Sequence, residues 1–142
     1  MINLSASPFT IGKFKNRQKI ANNASNKLKT KIIYLNQIGG NDDLIFDGSS
    51  FILDRDGNKI KQLSSCKEDF YCWDMNKQKN ILLNERNISE LESIFDALVL
   101  GVKDYAKKCG FKTALIGLSG GIDSALVTVP VSYTHLTLPT MS

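Results

Sequence analysis

The sequence predicts an α/β fold, and three observations carry that prediction. Short apolar runs separated by glycine and aspartate turns fill the first eighty residues, and the hydrophobic period then lengthens to that of a helix. Near the C-terminal end a strand-like run meets a glycine pair that opens another helix. The 142 residues, 42% hydrophobic and 23% charged, have the make-up of a folded soluble chain rather than a disordered one. Lys and Arg outnumber Asp and Glu by 18 to 14, but the excess is dispersed among asparagines. A solvated surface is therefore expected, not a nucleic-acid patch. Cys66, Cys72 and Cys109 stand at spacings that match no metal or disulfide framework, which favours reduced thiols. No basic segment leads into an apolar run at the N-terminus, and no stretch reaches the ~18 apolar residues of a membrane span. The expectation is a cytoplasmic chain without a membrane partner.

Taken in order, "INLSASPF" begins as a short strand, and Ser-Ala-Ser-Pro turns the chain into a loop. "KFKNRQKIANNASNKLK" is polar, with Ile20, Ala21, Ala24 and Leu28 near helical spacing, and predicts an exposed helix. "KIIYLNQIG" is a compact apolar run that ends at Gly39-Gly40 and suits a buried strand. Two apolar strands follow, Leu44 to Phe46 and Ser50 to Leu53, with Asp47-Gly48 between them. "RDG" then marks a hairpin into Lys59 to Leu63. After Lys77 to Asn80 the period changes. Ser89 and Glu92 have capping-box spacing, and Leu91, Ile94, Phe95, Leu98, Val102, Tyr105 and Ala106 fall on one helical face that Gly110 closes. "KTALIGL" reads as a strand leading into the glycine pair. Strand, loop and helix in that order begin a nucleotide-binding unit near residue 81.

The stretch Gly117 to Ser124, "GLSGGIDS", carries the most chemistry. Glycines without Cβ let backbone N–H groups approach an anion, and the new helix points its positive end at the same place. Ser119 and Ser124 add hydroxyl donors, while Asp123 supplies the hard oxygen that Mg²⁺ on a triphosphate requires. A Walker A loop would need Lys before its Ser or Thr, and none is present. An ordinary glycine-rich turn would need only the two glycines; six matching positions in a strand-to-helix context favour the phosphate cradle.

At these residues the chain resembles the ATP pyrophosphatase loop, Ser-Gly-Gly-X-Asp-Ser. Upstream, "NLSASPFTIGK" and "YLNQIGGNDDLIFDGSSFILDRDG" are similar to the C-terminal part of a nitrilase-type glutaminase domain. Joined to "LVLGVKDYAKKCGFKTALIGLSGGIDSALV", they resemble glutamine-dependent NAD synthetases across about residues 2 to 127. Asp43 departs from that pattern, standing where the family often has Glu. The resemblance implies the C-terminal part of a nitrilase-like αββα sandwich over residues 1–80. The first helix-strand-loop-helix of a Rossmann-like adenine-nucleotide hydrolase domain would follow over 81–130.

The implied activity is a ligase reaction in NAD biosynthesis: a Cys thiolate assisted by Glu and Lys hydrolyses glutamine, ATP adenylates deamido-NAD, and ammonia displaces AMP. By position, Ser7 and Lys13 would contact glutamine. Gly117, Leu118, Ser119, Gly120, Gly121, Ile122, Asp123 and Ser124 would hold ATP, with Asp123 on Mg²⁺. The glutaminase triad should precede "NLSASP", so no residue here is assigned a catalytic role. Cys66 and Cys72 follow the matching motifs and are not carried over as the nucleophile. Residues 125–142 contain no charged side chain. Residues 131–142 are expected to be a tail of different origin, because "VSYTHLTLPT" resembles a translated sequencing-library adapter. Pro130 is expected to stop the cradle helix by about Val129, and His135 is not expected to be a ligand. The 142 residues read as a truncated fragment, inactive alone, of a parent that forms a homo-oligomer. Two alternatives remain: another amidotransferase or ligase with the same loop, or a non-catalytic nucleotide-binding fragment.

Overall fold

A computed structural model describes residues 1–75 and 89–134. The boundary expected at residues 80 and 81, and residues 135–142 of the tail expected over 131–142, lie outside them. The chain begins with strand β1 (Ile2–Ser5), helix α1 (Lys13–Leu28) and strand β2 (Ile32–Asn36). β1 and β2 are parallel, with Ile2 beside Ile33 and Ser5 beside Asn36, and α1 is the crossover that parallel strands require. Gln37 then breaks the run. Strand β3 (Ile38–Asn41) leaves the sheet and pairs with β4 (Leu44–Asp47) as a separate antiparallel hairpin, turning at Asp42 with φ 50°. The chain returns as β5 (Phe51–Leu53), antiparallel to β2, and β6 (Lys59–Gln62) follows outside it. The four-stranded sheet therefore runs β1-β2-β5-β6.

The expected strand "KIIYLNQIG" is thus two strands in two sheets, and Gly39-Gly40 lie inside β3 instead of ending it. The reason is tertiary, since only glycines allow what packs against them, as described below. In the main sheet, alternation puts Ile32 and Tyr34 of β2 and Phe51 and Leu53 of β5 on one face, buried with Ala21 of α1. Tyr34 stacks on Phe51 with centroids 4.9 Å apart, and Phe14 meets the Phe51 ring edge-on at 6.1 Å. Such ring pairs contribute ~1 kcal/mol each beyond area burial.

The buried side of α1 is not the one its aliphatic residues predict. Ile20 and Leu28 are exposed, whereas Arg17, Ala21 and Ser25 are buried. Small Ala21 and Ser25 let the helix approach the sheet closely. Ser25 Oγ meets the carbonyls of Thr30 (2.9 Å) and Asp54, which removes the penalty of burying a hydroxyl. The hairpin from β5 to β6 turns as expected through Asp56-Gly57, Gly57 having φ 78°. Burial disfavours the charged Asp54 carboxylate. Hydrogen bonds from Asn58 and from the Asp56 amide outweigh burial and hold its pKa below the ordinary value.

Helix α2 (Glu90–Lys108) starts where the capping signal predicts, with Ser89 Oγ accepting the Glu92 N–H at 3.1 Å. At its end Gly110, φ 73°, lets Phe111 N–H reach Ala106 C=O at 2.9 Å and Gly110 N–H reach Lys107 C=O at 3.2 Å, closing a Schellman motif. Ser89→Ala is expected to destabilise the chain by about 1 kcal/mol, read as a lower denaturant midpoint with unchanged slope. Three of the expected face residues, Leu91, Leu98 and Tyr105, are exposed; the helix presents small and polar residues to the β3–β4 hairpin instead. A Cβ on Gly40 would come within 3.3 Å of Gly101 Cα, and one on Gly101 within 2.9 Å of Ile45 Cδ1. Across that close approach Asp104 Oδ2 accepts the Gly40 N–H at 2.8 Å, and Lys108 Nζ donates to the Gly40 C=O at 2.5 Å.

Two expectations about the C-terminal part are corrected. "KTALIGL" forms no strand among the described residues, where only Thr113 makes an isolated bridge. A single apolar run gains strand geometry only from a ladder partner, and among the described residues no strand pairs with it. Helix α3 (Ile122–Tyr133) also continues through Pro130 instead of stopping by Val129. The proline removes a donor, but Pro130 and Val131 are buried, and Tyr133 packs edge-to-face on Phe95 of α2 at 5.5 Å. Packing of the last turn offsets the ~3 kcal/mol proline cost. No helix among the described residues is long and apolar enough to cross a membrane.

Candidate functional site

The loop before α3 is open on every side that a phosphate needs. Gly120 has φ 82°, a conformation that favours glycine, and a Cβ on either Gly117 or Gly120 would meet nothing within 4 Å. The N-cap is Gly121, without a capping side chain. Helix geometry leaves the amides of Ile122, Asp123 and Ser124 without intrahelical acceptors. Ser124 Oγ bonds the Gly121 carbonyl at 2.9 Å and lies 3.3 Å from Ser119 Oγ, so the two hydroxyls sit together at the helix entrance. Asp123 is exposed in the first turn. No cluster of three metal-ligating side chains occurs among the described residues. A lone carboxylate beside a phosphate cradle suits Mg²⁺, which takes one or two protein carboxylates and fills its octahedron with phosphate oxygens and water.

Ser7 and Lys13 lie at the other end of the chain. Ser7, half-buried, is two residues beyond β1, and its backbone is gripped by the Asn36 side chain. Asn36 Oδ1 accepts the Ser7 N–H at 2.8 Å, and Nδ2 donates to the Ser7 C=O at 3.2 Å. Arg17 Nη1 donates to the same carbonyl at 3.4 Å. The Ser7 hydroxyl makes no hydrogen bond among the described residues. Lys13 is the first residue of α1, its N–H bonded to Thr10 C=O at 3.1 Å. A cleft of about 620 Å³ opens beside this loop, lined by Phe9 to Gly12, Phe14, Lys15 and the start of α2; neither Ser7 nor Lys13 lines it. No described hydrogen bond or ion pair links Ser7 or Lys13 to Gly117–Ser124.

The buried polar residues behind Ser7 escaped the sequence reading. Arg17 and Asp47 are 7% and 2% exposed and pair at 2.5 Å. Arg17 Nε and Asp47 Oδ1 have no hydrogen-bond partner among the described residues. One arginine in a lysine-rich amphipathic helix was the available signal, since guanidinium is the cation suited to a buried fork. Burial, with the negative charges of Asp47 and Asp96, pushes the Cys66 thiol above its ordinary pKa despite the opposing Ser65 hydrogen bond. Cys72 and Cys109 are exposed and free.

The sequence model of the NAD synthase family matches residues 94–133, which includes the whole loop from Gly117 to Ser124. Over 131 aligned residues the chain is 42% identical to a glutamine-dependent NAD(+) synthetase of Synechocystis, and over 126 residues 40% identical to that of Acinetobacter baylyi. These alignments cover 89% and 87% of the chain but only 24% and 23% of the relatives. The chain thus spans about a quarter of the length of the curated relatives it matches. Among solved structures it is similar to the glutamine-dependent NAD+ synthetase of Acinetobacter baumannii in complex with adenosine diphosphate, with a TM-score of 0.84 and 34% identity. That match covers 95% of this chain and 26% of the other. The corresponding enzyme of Cytophaga hutchinsonii matches with a TM-score of 0.71 and 26% identity over 94% of this chain. The mixed α/β arrangement is therefore that of glutamine-dependent NAD synthetase structures.

Proposed function

We propose that this chain is the part of a glutamine-dependent NAD synthetase in which the glutaminase half meets the ATP-binding half. In this reading residues 1–80 end a nitrilase-like domain, and 81–130 begin a Rossmann-like nucleotide-binding one. The parent would amidate deamido-NAD to NAD in the cytoplasm, as a homo-oligomer. The observation that carries the reading is the open cradle before α3, inside a fold that matches an ADP-bound synthetase at a TM-score of 0.84.

In the proposed reaction the loop binds and orients ATP. The free amides of Ile122, Asp123 and Ser124 point toward the phosphates, and the positive end of α3 favours the charge that develops as pyrophosphate leaves. Ser119 and Ser124 hydroxyls, adjacent at 3.3 Å, can turn their donors outward to the same oxygens. Asp123 is the residue to hold Mg²⁺, which when bound would neutralise phosphate charge. Ser7, whose hydroxyl has no partner among the described residues, and Lys13 are the candidate contacts for glutamine. The thiolate that attacks glutamine would come from outside this chain.

The test is product stoichiometry. The purified product of the gene that contains this chain, given deamido-NAD, ATP and glutamine, is expected to form NAD, AMP and pyrophosphate in equal amounts. Formation of ADP and phosphate, or failure to amidate deamido-NAD, would rule the reading out in favour of another ligase or a non-catalytic nucleotide binder.

A further inference from the structure

We propose that Asn36 is a positioning residue for glutamine, acting through the backbone of Ser7 and backed by the buried Arg17–Asp47 pair. The inference rests on the reading of Ser7 as a glutamine contact and goes beyond it to what holds Ser7 in place. After β1 ends at Ser5, the chain leaves the sheet, and no strand ladder fixes Ser7. The Asn36 carboxamide takes the place of a ladder partner, satisfying both the N–H and the C=O of that one residue. Asn36 is itself fixed, because its backbone N–H donates to Ser50 Oγ at 3.0 Å at the point where β2 gives way to β3. Arg17 adds a second donor to the Ser7 carbonyl. Its other nitrogen is anchored on Asp47 at the end of β4, so the guanidinium cannot swing away without leaving a buried carboxylate unpaired.

The consequence is a division of labour within Ser7. Its main chain is consumed by the scaffold, and its hydroxyl is left unbonded among the described residues. A hydroxyl bonded inside the protein would have to break that bond to bind an amide substrate. One held on a fixed backbone with no internal partner is ready to do so. Positioning of this kind acts on binding and orientation of one substrate, so its loss should be specific to glutamine.

The experiment compares two nitrogen donors in the full gene product that contains this chain. Asn36→Ala is expected to raise the KM for glutamine about tenfold or more while NAD formation driven by free ammonia stays within twofold. Asn36→Asp keeps the acceptor for the Ser7 N–H but sets a carboxylate oxygen against the Ser7 carbonyl. It is expected to show the same glutamine-specific loss if the alanine variant folds poorly. An equal loss with both donors would overturn the proposal, since a merely structural role predicts that result. Ser7→Ala separates the two layers of the argument. A raised glutamine KM in Ser7→Ala beside an unchanged one in both Asn36 variants would overturn the positioning role alone, and an unchanged KM in Ser7→Ala would overturn the glutamine reading itself.

Discussion

Replacing Asp123 by alanine, in the full gene product that contains this chain, is expected on the proposed reading to lower ATP-dependent amide formation by about 10²-fold or more while glutamine hydrolysis continues. The carboxylate is exposed at the first turn of α3, beside amides that helix geometry leaves free. Its removal leaves the unpaired N–H groups at the start of α3 in place but takes away the only carboxylate between Gly117 and Ser124. Loss of a metal-assisted charge interaction is worth several kcal/mol in the transition state. Asp123 makes no ion pair among the described residues, so the variant should fold normally. Glutamine hydrolysis is spared because Ser7 and Lys13 share no described hydrogen bond with this loop. Parallel assays of NAD formation and of ammonia release check the prediction. Equal loss of both activities, or loss of neither, would show that the carboxylate does not serve the ATP site.

The second large effect is on stability. Arg17→Ala is expected to destabilise the chain by about 3–5 kcal/mol, because it leaves Asp47 as an uncompensated buried charge. Asp47→Ala should do the same by stranding the guanidinium. A double change to Met at 17 and Leu at 47 should recover much of the loss. An ion pair replaced by packed apolar side chains is often near neutral, whereas half a pair is not. Denaturant midpoints of the three variants give the answer. A loss below about 1 kcal/mol in either single variant would mean that water reaches the pair. Burial of both partners, together with the unpartnered Arg17 Nε and Asp47 Oδ1, makes the larger figure the expected one.

The sequence determined those features whose signals are local. The Ser89 cap, the Gly110 stop, the Asp56-Gly57 turn and the glycine loop before α3 all appear where their residues predict them. Each depends on the backbone preferences of one to six neighbouring residues. The residues proposed to hold ATP could be read from local sequence for the same reason, since one continuous stretch holds the loop and the start of its helix.

Tertiary structure decided what depends on partners distant in the chain. Gly39-Gly40 read as a strand end. They lie within β3 because Gly101, sixty residues later, brings α2 against them, and Asp104 and Lys108 supply the hydrogen bonds. An apolar period cannot reveal a helix face made of Ala97, Gly101, Asp104 and Lys108, because its contacts are close backbone approach and polar bonds rather than hydrophobic area. The same limit hid Arg17, Asp47 and Asn36, polar residues held in buried or half-buried positions because each meets a partner ten or more positions away. "KTALIGL" and Pro130 err in opposite directions for one reason: a strand needs a neighbour that local sequence does not supply, and a helix can keep a proline when packing of its last turn outweighs the lost hydrogen bond. Local chemistry wrote the turns, caps and glycine loop into the sequence, and long-range packing chose which faces met and which side chains were held in place.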